Sequence, residues 1–114
     1  MSAQPMLSNT SVERDIEGYL VDPADWNPEI AELLAREEGL DLTEEHWKVI
    51  DFMRRYYDEH QVAADARFTI KFLADELDFG ARARNRLFQL FPYGYVKQAC
   101  KISGMKRPRA WSTG

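Results

Sequence analysis

The 114-residue sequence predicts an α+β fold in which a small N-terminal β-hairpin or meander packs on a bundle of about five helices. Three observations carry this expectation. From Pro28 onward, apolar residues recur three and four apart in successive stretches. Helix starts and stops (Asn27-Pro28, Gly39, Thr43, Gly80 and Gly104) punctuate those stretches at helix-sized intervals. Only residues 12–21 break the pattern. There Val12, Ile16, Tyr19, Leu20 and Val21 surround Asp15, Glu17 and Gly18, as in a short hairpin turning at Glu17-Gly18.

Residues 1–10 are polar and aperiodic, so the chain is expected to begin with a disordered segment. The domain proper spans 11–104. After the hairpin, Asp22-Pro23-Ala24-Asp25 reads as a turn, and Asn27 caps a first helix over 28–38 that Gly39 ends. Ile30, Leu33 and Leu34 are its inward residues. Thr43 caps the second helix, whose stripe is Trp47, Ile50, Met53 and Tyr57. A third helix over 65–77 carries Phe68, Phe72, Leu73 and Leu77. The turn Asp78-Phe79-Gly80 leads to a fourth, 81–90, with Leu87 and Leu90 inward. Pro92 and Gly94 then interrupt the pattern before the last helix, 95–103, which Gly104 terminates. Residues 105–114 read as a flexible C-terminal arm.

Composition places the chain among soluble globular proteins, with 45% hydrophobic and 30% charged residues. No run approaches the roughly 20 apolar residues of a membrane span. The start lacks the basic and apolar regions of a signal peptide, and a lone cysteine builds no disulfide framework. A cytoplasmic protein is expected, and a monomer.

Charge is distributed unevenly. All 19 acids precede Gly80 with seven bases, a net −12; beyond it stand eight bases and no acid. The eight are Arg82, Arg84, Arg86, Lys97, Lys101, Lys106, Arg107 and Arg109. Two readings stay open: docking on an acidic partner or on phosphates, or an intramolecular match between the two parts.

Cys100 is the one candidate nucleophile. Only its thiolate would be reactive, and Lys97 and Lys101 stand close enough in sequence to favour that form. The negative end of the helix dipole opposes it. Val96, Ala99, Cys100 and Ser103 also share one helical stripe, the spacing of an inert core cysteine. His46 and His60 sit at opposite ends of one helix, too far apart for a shared metal, and Glu37, Glu38, Glu44 and Glu45 read as a solvated face. No metal or cofactor is expected. Arg82, Arg84 and Arg86 near the start of the fourth helix make a helix-turn-helix-like DNA contact the alternative reading.

Gly18-Tyr19-Leu20, Asp25-Trp26, Ala35-Arg36-Glu37-Glu38-Gly39, Leu42-Thr43, His46-Trp47, Phe91-Pro92, Gly94 and above all Lys97-Gln98-Ala99-Cys100-Lys101-Ile102 resemble the DsrC/TusE family. Its members include the gamma-subunit-like protein of dissimilatory sulfite reductase and a sulfur-relay protein of tRNA thiolation. The resemblance implies a protein partner in sulfur oxidation, sulfite reduction or tRNA thiolation, such as a sulfite reductase, a sulfurtransferase or a heterodisulfide-reductase-like complex. It also implies an arm whose penultimate cysteine carries sulfur. Cys100 matches the family's inner cysteine, whereas the place of the penultimate one falls on Trp111. A two-thiol cycle within this chain is thereby ruled out, leaving Cys100 as a candidate single persulfide or mixed-disulfide site. Tyr95 and Met105-Lys106 depart from the family's proline after Phe-Pro-Tyr-Gly and its Leu-Pro, so arm entry is expected to differ.

Overall fold

The computed structural model describes residues 12–106. Its elements are a 3₁₀ turn (Pro23–Asp25), α1 (Pro28–Glu37), α2 (Glu44–His60), α3 (Ala66–Glu76), a second 3₁₀ turn (Gly80–Arg82), α4 (Ala83–Leu90) and α5 (Tyr95–Cys100), the last wound as a π-helix. The expected disorder of 1–10 and the arm from Arg107 onward, Arg109 included, lie outside the described residues.

The α+β expectation is overturned: among the described residues there is no strand and no sheet. What stands in place of the hairpin is one antiparallel bridge, Arg14 with Leu20. The cause is local. The Asp15 carboxylate accepts from the N–H groups of Glu17 and Tyr19 at 2.9 and 3.0 Å, which curls the segment into a tight turn. Ile16 is thereby left fully exposed at its tip. Past Val21 the ladder ends, because Asp22 caps the 3₁₀ turn and Pro23 has no N–H to donate.

The helices form where the period places them. Asn27 accepts from Ile30 N at 2.9 Å to cap α1, with Pro28 preset at its first position. Gly39, at φ +73°, closes it: the N–H of Leu40 returns to Ala35 O at 2.9 Å. In α2 the buried residues are His46, Val49, Ile50 and Met53, while Trp47 and Tyr57 are half-buried. Phe68 of α3, read as inward, is 45% exposed; Leu73 is buried as expected, and Thr69 is buried beside it. Leu87 and Leu90 of α4 are buried as expected.

Helix α5 is the centre of the packing. Tyr95, Val96, Gln98, Ala99 and Cys100 are all buried, and Phe91, Ile102 and Met105 flank them in the same core. With only Lys97 exposed, this burial marks a central helix rather than an amphipathic surface one. Polar side chains hold it in place. The Tyr19 hydroxyl donates to Val96 O at 3.0 Å, and that of Tyr95 to Ala64 O at 2.6 Å, beside the Thr69 hydroxyl. Truncating a fully buried neighbour such as Leu87 to Ala would cost about 2–5 kcal/mol.

Candidate functional site

Cys100 has no solvent exposure and no second cysteine to pair with. Burial pushes its thiol far above the ordinary range, and no neighbouring charge offsets that effect. The two lysines that flank it in sequence stand elsewhere in space. Lys97 is exposed, and Lys101 reaches Glu38 at 3.4 Å with its ammonium 5.0 Å over the Tyr19 ring. In this conformation Cys100 is a protonated, closed thiol.

On the outer side of α5, Lys97 and Lys101 line a cavity of about 360 Å³ together with Glu17, Tyr19, Glu38 and Tyr93. Beneath it the Gln98 carboxamide is buried, accepting from Tyr93 N at 3.0 Å and donating to Glu38 at 3.4 Å. Tyr93 itself is 69% exposed.

The basic third of the chain divides into spent and free charges. Arg86 donates to Glu45, and Lys101 is held by Glu38, so part of the charge asymmetry is matched within the fold. Arg82 and Arg84 are exposed and, among the described residues, form no ion pair; Arg82 lies 5.7 Å from the Phe79 ring. Lys97 and Lys106 are exposed as well. The acids read as a solvated face are partly engaged too, since Glu37 takes Arg14 at 2.5 Å. With Arg86 turned to Glu45, Arg82, Arg84 and Arg86 do not make one free row for phosphates, and the DNA-binding alternative is not supported.

The turn after Cys100 is tied down by two residues that the period reading gave no such role. Trp26 Nε1 donates to Ile102 O at 2.9 Å, and Arg54 donates to Ser103 O and Pro23 O, each at 3.1 Å. The Arg54 guanidinium lies 4.5 Å from the Trp26 ring. A signal for Arg54 existed: it stands four residues after Ile50 and seven after Trp47, a charged side chain on the apolar stripe of α2.

Residues 6–110 match the sequence profile of the family described as DsrC like protein. This chain belongs to the DsrC-like family. It is 40% identical over 98 residues to a protein named Sulfurtransferase TusE of Buchnera aphidicola, a match covering 86% of each chain. The solution structure of DsrC from Allochromatium vinosum superposes with a TM-score of 0.77 at 39% identity, covering 89% of this chain and 90% of the other. The oxidized gamma-subunit of the dissimilatory sulfite reductase (DsrC) from Archaeoglobus fulgidus gives 0.75 at 33% identity, covering 89% and 92%. The DsrC-like resemblance read from the Lys97–Ile102 motif is thus established, whereas the sheet expected to come with it is not formed here. Where this DsrC-like chain departs from the family pattern, Tyr95 fills core volume and ties α5 to the start of α3. Among its described residues no helix is long and apolar enough to cross a membrane, and no three His, Cys, Asp or Glu side chains gather as metal ligands would.

Proposed function

We propose that this chain is a sulfur-relay accessory protein that docks on a sulfurtransferase or sulfite-reductase-like partner. Its near end-to-end match to a protein named Sulfurtransferase TusE carries that reading. The docking charges would be the unspent ones, Arg82, Arg84, Lys97 and Lys106, continued in sequence by Arg107 and Arg109. They suit an acidic protein surface and would steer its approach at low salt.

Cys100 is the sulfur site in this reading, and its burial makes opening of the fold around it a condition for loading. Once exposed, its thiolate would attack the outer sulfur of a partner cysteine persulfide. A new S–S bond forms on Cys100, the donor S–S bond breaks, and the partner's thiolate leaves and takes up a proton. No outside oxidant or reductant is needed.

The test is intact-mass measurement after incubation with a small persulfide donor, then with a persulfide-loaded sulfurtransferase. A gain of one sulfur in the wild type that is absent from Cys100→Ala supports the carrier role. No adduct under either condition, or an equal adduct in Cys100→Ala, removes it.

A further inference from the structure

We propose that Arg54 and Trp26 are positioning residues that latch the turn after α5, residues 102–105, and so keep Cys100 closed. The argument begins with the orphan carbonyls at the end of α5 and the turn that follows. Four of them find donors. Cys100 O accepts from Met105 N and Lys101 O from Gly104 N, both at 3.0 Å, a glycine-closed cap within the segment itself. The next two are satisfied from far along the chain: Ile102 O by Trp26 Nε1 at 2.9 Å, Ser103 O by Arg54 Nη1 at 3.1 Å.

The indole packs on the same turn. Gly104 sits at φ +83°, and a Cβ there would lie 2.4 Å from Trp26 Cδ1. Met105 follows with 1% exposure, although it belongs by sequence to the expected arm.

A cap needed only for stability would not require a charge. Arg54 is half-buried, desolvation lowers its pKa, and it forms no ion pair among the described residues. Asp58 offsets part of that desolvation from a distance, but a guanidinium without a direct ion pair still carries a penalty that an apolar side chain avoids. What it offers instead is exchangeable bonds: two carbonyls and one ring face that water or a partner can replace without repacking the core. When they are replaced, Ser103 O loses its donor and the Trp26 ring that serves Ile102 O loses the guanidinium packed on it, and the Met105–Cys100 bond opens with them.

From the relay reading this inference takes only that Cys100 is the thiol that must be uncovered. The experiment uses no partner and no persulfide, so its failure would leave that reading standing.

Labelling of Cys100 by an aromatic disulfide reagent in native buffer, followed against urea, reports opening of the turn. The wild type is expected to label slowly, at a rate that changes little in low urea, as local opening does. Arg54→Gln, and Trp26→Phe, which keeps an aromatic ring but lacks the N–H, should each label about tenfold faster than their loss of global stability accounts for. The proposal is overturned if labelling in all three proteins rises with urea along the slope of global unfolding, since the thiol is then reached only by unfolding. Trp26→Phe keeps the test decisive should Arg54→Gln fail to fold.

Discussion

The guanidinium of Arg86 donates from both Nε and Nη2 to a single oxygen of Glu45, fastening the acid-free end of the chain to the acidic start of α2. Both side chains are about one-third exposed, at 34% and 35%, which limits what the pair contributes to stability. Arg86→Ala should therefore cost only about 0.5–1 kcal/mol in urea unfolding, less at high salt. Partner affinity should change less in Arg86→Ala than in Arg84→Ala, because Arg84 has no acid to leave among the described residues. Equal losses in a salt-controlled binding assay would contradict that division of the basic residues.

Two glycines with positive φ separate backbone strain from steric conflict. Gly39, at φ +73°, has nothing within 4 Å of an added Cβ, so Gly39→Ala should cost about 1–2 kcal/mol, the strain alone. Gly104, at φ +83°, adds the clash with Trp26, and Gly104→Ala should cost about 2–4 kcal/mol. Denaturation midpoints of the two variants check the order. In Gly104→Ala, Trp26 fluorescence in the folded state should shift as well.

The helices were legible because each local signal agreed with the period: Asn27, Thr43 and Asp65 all cap where the sequence places a start. The hairpin was not, because alternation over ten residues does not reveal that one aspartate will take two backbone donors into its own side chain. Cys100's stripe with Val96, Ala99 and Ser103 correctly foretold burial, though α5 is a π-helix. The latch escaped because it joins residues 49 and 76 positions apart, and hydrogen bonds from Arg54 and Trp26 to remote carbonyls leave no periodic trace.

His46 gives the fold a pH dependence whose sign follows from its two bonds. Nδ1 accepts from Thr43 N at 2.9 Å, completing the capping box, so Nε2 carries the proton and donates to Leu90 O at 2.7 Å. A second proton would have to sit on Nδ1, facing a donor. Burial, the largest cause, lowers the His46 pKa below the ordinary histidine value of about 6.5. Below about pH 6.5 the unfolded chain takes up a proton that the folded chain refuses, so stability falls with pH through that range and down to the folded pKa. His46→Gln keeps the box acceptor, and its stability curve should lack this step. Parallel curves between about pH 7 and 5 would refute the assignment.

Cys100 supplies the opposite slope at the alkaline end. Its buried thiol stays protonated in the fold well beyond the range where an exposed thiol, with a pKa of about 8.5, has already ionised. The raised folded pKa means that its contribution is complete below the unfolded value and is lost as pH rises toward the folded one. Above about pH 8.5, wild-type stability should therefore fall faster with pH than that of Cys100→Ala, and the difference between the two curves isolates the thiol from the tyrosines and lysines that titrate nearby. Native protein should show no thiolate absorbance until it unfolds. If absorbance instead appeared in the folded state near pH 8.5, the thiol would already be solvated, and neither the closed site nor the latch proposed to keep it closed would stand.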